Sequence, residues 1–223
     1  TPFVFTIRDN QGKVLSTPIN NEKLKNKIAN YDWAKREAFT FTTSEGIQLD
    51  GWMMKPADFN PSKKYAVLMY QYSGPGSQQV MNSWNAGSMR NGGAFDVYFA
   101  QHNIIVVCVD GRGTGGRDAN FEKCTYQQLG RLEAADQVET AIWLGKQSYV
   151  DKNKIGIWGW SFGGFTTLMA MSEGRKVFKA GVAVAPPTNW KFYDSVYTER
   201  YMRTPKENPD GYTDNPITRV NNM

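Results

Sequence analysis

The residues best suited to chemistry form a Gly-Trp-Ser-Phe-Gly motif at positions 159–163. The apolar run at 154–158 before it is typical of a short buried strand, and residues 164–171 after it are typical of a helix. A strand, the pattern Gly-x-Ser-x-Gly and a helix in direct succession are the context of a nucleophile elbow. There, Ser161 would lie on a strained turn that needs small neighbours, and its hydroxyl would attack a carbonyl carbon. The N-terminus of the following helix would favour negative charge on the attacked oxygen. The alternative, an ordinary serine in a glycine-rich turn, does not explain the flanking strand and helix.

Composition narrows the class of protein. The 223 residues are 40% hydrophobic and 13% aromatic, enough for a packed core, which excludes global disorder. The formal net charge is +5, but the basic residues are scattered among acids, which favours a mixed solvated surface over nucleic-acid binding. No apolar run in the sequence has membrane-spanning length. Cys108 and Cys124 form no metal-ligand or catalytic pattern, and their redox state stays open.

The order of apolar segments predicts an α/β fold. Near-continuous apolar runs are typical of buried parallel strands, and they occur at 65–70, 104–109, 155–158 and 180–185. Apolar residues at helical spacing over 129–142 predict a crossover helix with acids on its other face. Before these units, segments 39–43 and 47–54 predict a hairpin whose second strand has one solvated face. This order predicts an α/β-hydrolase fold, a mostly parallel sheet flanked by helices.

The first 36 residues have a different character. Segments 3–8 and 13–15 flank an Asp-Asn-Gln-Gly turn and predict another hairpin, which is followed by a short surface helix at 21–31. A lone hairpin is marginal in water, so we expect it to belong to a sheet lying mostly upstream. Because the sequence starts at Thr1 without a signal peptide, we expect a piece of a longer or processed protein. We therefore divide the chain into 1–36, a linker hairpin and helix, and 37–223, a catalytic domain.

Residues 111–116 match the pattern Gly-x-Gly-x-x-Gly after a predicted strand. A dinucleotide site needs a helix to begin at the third glycine, and here helical periodicity starts only near Leu129. No acid ends a strand about twenty residues further on. We interpret the motif as a strand-to-loop turn, and we expect no cofactor and no metal.

Several segments together resemble the dipeptidyl peptidase IV branch of the prolyl oligopeptidase family of serine peptidases. They are Tyr-Gln-Tyr-Ser-Gly-Pro-Gly-Ser-Gln at 70–78, Val-Asp-Gly-Arg-Gly at 109–113, Trp-Gly-Trp-Ser-Phe-Gly-Gly at 158–164 and Ala-Pro at 185–186. The most specific is Trp-Lys-Phe-Tyr-Asp-Ser-Val-Tyr-Thr-Glu-Arg-Tyr-Met at 190–202. The resemblance implies an eight-bladed propeller followed by an α/β-hydrolase domain, so the first hairpin would be the propeller's tail or its linker. It also implies removal of N-terminal dipeptides ending in proline or, less well, alanine.

The resemblance assigns roles to particular residues. Ser161 would be the nucleophile that forms an acyl-enzyme, and the backbone N–H of Phe162 would donate to the oxyanion. The Tyr72 hydroxyl would be the second donor; without the resemblance, Tyr72 could simply pack at a strand end.

The family's pocket for the proline ring corresponds to Trp190, Tyr193 and Tyr197, with Phe162 beside them. Without the resemblance, Tyr193 and Tyr197 are better interpreted as core residues four apart on one helix face. The chain departs from the family at Phe162, where tyrosine is usual, and at Pro187 and Thr188, which could alter the pocket rim.

The triad is incomplete in this sequence. Its members follow the order serine, aspartate, histidine in this fold, yet no histidine follows Ser161. The single histidine, His102, precedes the serine and is interpreted as a surface loop residue. We assign no triad aspartate among Asp194, Asp210 and Asp214. We expect the triad aspartate and histidine beyond the last residue, and the glutamates that hold the substrate amine before the first. The chain alone is therefore expected to be inactive.

Two alternatives remain. One is another hydrolase of the same family, such as an acylaminoacyl-peptidase, an oligopeptidase or an esterase. The other is a non-catalytic binding module, which would not need the elbow. For the full-length protein, the resemblance implies peptide substrates, a homodimer, and a secreted, periplasmic or membrane-anchored location.

Overall fold

The computed structural model describes residues 2–84, 86–90 and 93–223. In these residues the strands are β1 (Phe5–Arg8), β2 (Val14–Ile19), β3 (Arg36–Thr42), β4 (Gln48–Met54), β5 (Tyr65–Tyr70), β6 (Ile104–Asp110), β7 (Val150–Trp160) and β8 (Ala180–Val184). The α-helices are α1 (Glu22–Ala29), α2 (Ala94–Gln101), α3 (Ala119–Lys123), α4 (Arg131–Gly145), α5 (Phe162–Met171) and α6 (Ser195–Met202).

Six strands form one sheet in the order β3-β4-β6-β5-β7-β8. The pairs β3–β4 and β4–β6 are antiparallel, whereas β6–β5, β5–β7 and β7–β8 are parallel. From β5 the chain crosses to β6 on one side, and it then returns to β7 on the other. The carboxyl ends of β5 and β7 therefore lie side by side where the direction of winding reverses, the usual place for a ligand site in such sheets. The predicted α/β-hydrolase fold is confirmed.

Alternating side chains of the sheet build two cores. On one face Met69, Val107 and Ile157 pack with α4 and α5. On the other face Tyr70 and Trp158 pack in a second cluster together with residues of α2.

The expectation that one face of β4 is solvated is wrong. Trp52 and Met54 belong to the second core, and Leu49 and Met53 belong to the first. Both faces are covered because residues of α2 pack on the side of Trp52 and Met54, and residues of α4 pack on the side of Leu49 and Met53.

The expectation of a buried strand at 180–185 is also wrong for this chain. β8 ends the strand order and pairs with β7, and no residue along it is fully buried. Val182 is 57% exposed.

The sequence analysis placed the acids of α4 on a solvated face, and this is wrong for two of them. Glu133 and Asp136 are fully buried. The Asp136 carboxylate accepts hydrogen bonds from the Arg112 guanidinium at 2.6 Å and the Arg112 backbone N–H at 2.7 Å. Arg112 also pairs with Glu45 at 2.8 Å. The loop after β6 thus covers the acidic side of the helix and compensates one of its charges.

The hairpin of β1 and β2 forms a separate two-stranded sheet, and all residues of its two strands are exposed. α1 follows it, also without buried residues. The division between residues 36 and 37 stays a prediction. Among the residues that the structure describes, no helix is both long and apolar enough to cross a membrane.

Burial of Glu133 predicts an unusual pH dependence of stability. Burial raises the pKa of Glu133 from 4.5 to about 8, although its own backbone N–H and that of Gly130 oppose the shift. Between these values the folded state holds a proton that the unfolded state releases, so the free energy of unfolding falls as pH rises through this window. Glu133→Gln should remove that slope, which is at most about 1.4 kcal/mol per pH unit. Chemical denaturation at pH 5 and pH 8 measures it.

Glu139 on the same helix is the matched control. Burial raises its pKa, but hydrogen bonds from Ser44 and Arg175 prevail and lower it. Glu139→Gln should therefore remove stability that is present above pH 4.5 and lost in acid. An unchanged pH slope in Glu133→Gln would contradict the burial of a neutral carboxyl group.

Candidate active site

Ser161 lies on a sharp turn between β7 and α5. Its backbone has φ 57° and ψ −116°, and residues other than glycine rarely adopt a positive φ. The Ser161 N–H donates to the carbonyl of Val184 at 2.8 Å, which ties the turn to the end of β8. The half-buried side chain stands at the carboxyl edge of the sheet, directly before the N-terminus of α5.

Three glycines allow this turn because backbone passes directly against them. A Cβ atom on Gly159 would lie 2.6 Å from the carbonyl oxygen of Gln71, and one on Gly164 would lie 2.8 Å from that of Val184. A Cβ atom on Gly163 would collide with the same Gln71 oxygen. The elbow is thus wedged between the segment that leaves β5 and the end of β8.

Tyr72 lies two residues after β5 and faces the serine. Its hydroxyl lies near enough to that of Ser161 for the serine to lower the pKa of the phenol. Burial and the nearby Tyr193 raise the pKa of Tyr72 further than Ser161 lowers it. The phenol therefore keeps its proton at neutral pH and can donate a hydrogen bond.

A second donor is available at the same place. Phe162 is the first residue of α5, and the first N–H groups of a helix have no acceptor within it. The Phe162 N–H follows Ser161 directly in the chain, and the Tyr72 hydroxyl lies near the same serine. Two donors beside an attacking hydroxyl are what an oxyanion formed on a carbonyl group requires.

Aromatic rings form a wall beside these donors. The Trp190 ring centroid lies 5.5 Å from that of Phe162, 5.7 Å from that of Tyr193 and 5.8 Å from that of Tyr197. Trp190 is buried, whereas Tyr193 is 42% exposed. The Tyr72 ring centroid lies 6.3 Å from that of Phe162, so the wall adjoins Tyr72. Burial raises the pKa of Tyr197, and the neighbouring Tyr72 adds to the shift.

The interpretation of Tyr193 and Tyr197 as neighbours on one helix face is wrong. Tyr193 has extended backbone and ends a short 3₁₀ turn, Trp190–Phe192. Asp194 then caps α6, because its carboxylate accepts the N–H of Tyr197 at 2.8 Å. The cap separates the two tyrosines into different elements, and their rings meet edge to face at 5.6 Å.

The glycine-rich loop at 111–116 holds the Tyr72 loop. Gly76 donates to the carbonyl of Gly113 at 2.9 Å, and Gly115 donates to that of Ser77 at 2.8 Å. Next to them, the Asp110 carboxylate accepts the backbone N–H groups of residues 79 and 80 at 2.8 and 2.7 Å. Burial raises the pKa of Asp110 to about 6, against these two hydrogen bonds. The next helix, α3, begins only at Ala119 and has five residues.

The structure gives other roles to the histidine and to two of the acids that the sequence left unassigned. His102 is exposed at the end of α2, and its Nδ1 lies 2.7 Å from the carbonyl oxygen of Tyr98. Asp194 caps α6, and Asp214 pairs with Arg219. The sequence analysis missed Gln71 and Ser73, which flank Tyr72 and are fully buried. Polar residues continuing the inward alternation of β5 were the available signal.

Known proteins share this architecture. The model of the prolyl oligopeptidase family matches residues 94–223. Relatives named "Probable dipeptidyl-aminopeptidase B" from Coccidioides posadasii and Phaeosphaeria nodorum are 45% and 42% identical over 222 residues. These alignments cover 93% and 95% of this chain but 23% and 24% of the relatives. The crystal structure of Porphyromonas gingivalis dipeptidyl peptidase 4 superposes with a TM-score of 0.91 at 44% identity, covering 100% of this chain and 31% of that one.

The six-stranded sheet and the strand–turn–helix around Ser161 define an α/β hydrolase. Within that class, the chain belongs to the prolyl oligopeptidase family. The predicted resemblance to its dipeptidyl peptidase IV branch is confirmed by the relatives. The chain spans about a quarter of the length of the curated relatives it matches.

The close approach at the elbow yields a prediction. Gly163→Ala should lower the free energy of unfolding of the full-length protein by about 3 kcal/mol, because the new methyl group meets a backbone carbonyl that cannot move aside. It should also abolish labelling of Ser161 by a fluorophosphonate. Chemical denaturation and mass spectrometry of the labelled protein measure the two effects.

Gly145→Ala is the matched control. Gly145 ends α4, and its added Cβ atom would meet only the Lys152 side chain, at 3.3 Å. We expect a change of less than about 1 kcal/mol and normal labelling. Equal tolerance of both substitutions would show that the elbow is not packed as described.

Proposed function

We propose that the full-length protein containing this chain is a serine peptidase that releases N-terminal dipeptides with proline, or less well alanine, in second position. The observation that carries the proposal is the strained Ser161 facing the protonated Tyr72 phenol. Resemblance to a dipeptidyl peptidase 4 of known structure supports the substrate class.

In the proposed reaction, the Ser161 hydroxyl attacks the scissile carbonyl carbon while a base takes its proton. The resulting oxyanion accepts hydrogen bonds from the Tyr72 hydroxyl and the Phe162 N–H. The C–N bond then breaks, the leaving amine takes the proton, and the dipeptide stays as an ester on Ser161. Water hydrolyses that ester and restores the serine. Since no histidine follows Ser161 in these residues, we propose that the base comes from a segment outside them.

The aromatic wall suits the ring of a proline residue. Trp190, Tyr193 and Tyr197 offer flat, mainly apolar surfaces, and a proline ring has no hydrogen-bond donor that would be left unsatisfied there. The Phe162 ring lies behind Trp190, buried in the core, and it brings no hydroxyl group to that position. Alanine would fill less of the same space.

For the whole protein we further propose peptide substrates, a homodimer, and a secreted, periplasmic or membrane-anchored location. These proposals come from the dipeptidyl peptidase IV branch as a whole.

The two hydroxyls give the direct test. In the full-length protein, Ser161→Ala should abolish release of Gly-Pro from a chromogenic Gly-Pro amide. Tyr72→Phe should lower kcat by about 100- to 1,000-fold, about 2.7–4 kcal/mol, because one oxyanion donor is lost. Tyr98→Phe, at an exposed tyrosine on α2, is the matched control and should leave kcat unchanged.

Normal kcat in Tyr72→Phe would remove this phenol from the mechanism. A substrate with a blocked amino terminus separates the dipeptidyl peptidase from other hydrolases of the family. If the blocked peptide is cleaved as fast as the free one, the proposed substrate class is wrong.

We also propose that the 223 residues by themselves do not turn over substrate. Serine-dependent hydrolysis of the Gly-Pro amide by this chain alone would contradict the proposal, because it would require a base within these residues.

A further inference from the structure

Three buried polar side chains form a chain of hydrogen bonds behind the candidate site. Gln137 Nε2 donates to Ser73 Oγ at 3.3 Å, and Ser73 Oγ donates to Gln71 Oε1 at 2.9 Å. Gln71 Nε2 then donates to the carbonyl of Gly163 at 2.6 Å and to Thr167 Oγ1 at 3.1 Å. Gln71 and Gln137 are 0% exposed, and Ser73 is 1% exposed.

The network joins the elements that carry the reacting groups. Gln137 lies on α4 and also donates to the carbonyl of Val109 on β6 at 3.1 Å. Gly163 and Thr167 lie on α5, the helix that begins directly after Ser161. Gln71 and Ser73 stand on either side of Tyr72, with their side chains in the core. The backbone of Tyr72 is therefore fixed at both neighbouring residues, and one of these is bonded to the turn of the nucleophile.

Backbone strain makes such fixation necessary. Ser73 has φ 61°, a left-handed conformation in a residue other than glycine, and conformations of this kind persist only where surrounding contacts hold them. The Ser73 hydroxyl is the middle member of the network and both accepts and donates a hydrogen bond. Loss of either bond would let the segment after β5 relax, and the Tyr72 phenol would move with it.

We propose that Gln71, Ser73 and Gln137 are positioning residues that hold the Tyr72 hydroxyl opposite Ser161. They do not touch the reacting atoms. They act by holding the Tyr72 phenol in position. The inference rests on the proposed function, in which that phenol stabilises the oxyanion. Neighbouring hydrogen bonds inside a protein strengthen one another, and this network also joins the Tyr72 loop to the helix that follows Ser161. Gln137 Oε1 has no hydrogen-bond partner among the described residues, so the α4 end of the network is its least satisfied part.

A double-mutant cycle in the full-length protein tests the proposal. Ser73→Ala should lower kcat about tenfold and change KM less than about twofold, since it displaces a donor that acts in the transition state. Combined with Tyr72→Phe, it should add less than about a twofold further loss, because the displaced hydroxyl is already absent. A tenfold loss in both backgrounds would overturn the proposal, as the effect would not pass through Tyr72.

Two further variants separate positioning from stability. Gln137→Met removes the same link from α4 without changing the Tyr72 loop, and it should show the same coupling to Tyr72→Phe even if Ser73→Ala folds poorly. Thr140→Val is the matched control, because its buried hydroxyl bonds the carbonyl of Asp136 on the same helix. It should lower the melting temperature while kcat stays normal. Equal losses of kcat in Thr140→Val and Gln137→Met would mean that the network only supports the fold.

The rate at which a fluorophosphonate labels Ser161 is measured in the same cycle, since it needs no peptide substrate. If Ser161 is labelled normally but no peptide is turned over, only the proposed function is contradicted. The role of the network is then decided by whether the effects of Ser73→Ala and Tyr72→Phe on the labelling rate are coupled. Additive labelling rates, or a wild-type serine that is not labelled, would overturn the positioning role.

Discussion

The structure depends on one close approach between two backbones. The segment leaving β5 passes so near the elbow that the Gln71 carbonyl oxygen occupies the space where a Cβ atom of Gly159 or Gly163 would lie. Gln71 also donates its backbone N–H to the carbonyl of Trp158 at 3.2 Å, so the contact extends the pairing of β5 with β7 by one residue. The residues that follow these two strands, Tyr72 and Ser161, consequently face each other.

The rest of the site is arranged around this contact. Phe162 turns its ring into the core, where Phe165 and Trp190 pack against it at 5.4 and 5.5 Å between centroids. The aromatic wall thus begins on the helix that the elbow starts, and it is completed by Tyr193 and Tyr197 on the segment after β8. Displacement of α5 would move Ser161, the Phe162 N–H and part of the aromatic wall together.

Local sequence patterns were sufficient to predict those parts of the structure that neighbouring residues determine. The strand, the Gly-x-Ser-x-Gly turn and the helix are contiguous in sequence, so the elbow could be predicted from neighbouring residues alone. The fold class followed from the order of the apolar runs. The role of Tyr72 was predicted only through resemblance to a family, because nothing in its own neighbourhood distinguishes an oxyanion donor from a packed tyrosine.

Predictions failed where burial depends on distant segments. Glu133 and Asp136 have the spacing of a solvated helix face, yet both are fully buried, and Arg112 in the loop after β6 compensates Asp136. The run at 180–185 forms a strand as predicted, and within the described residues β8 pairs with β7 and is exposed. Tyr193 and Tyr197 have helical spacing, but the cap formed by Asp194 decides where the helix begins.

A crystal structure of the full-length protein with a phosphonate bonded to Ser161 tests the central claim most directly. The account predicts a phosphonyl oxygen at about 2.7–3.1 Å from both the Tyr72 hydroxyl and the Phe162 nitrogen, the range of oxyanion contacts. A phosphonyl oxygen that points to solvent, with the Tyr72 ring turned away from it, would contradict the account.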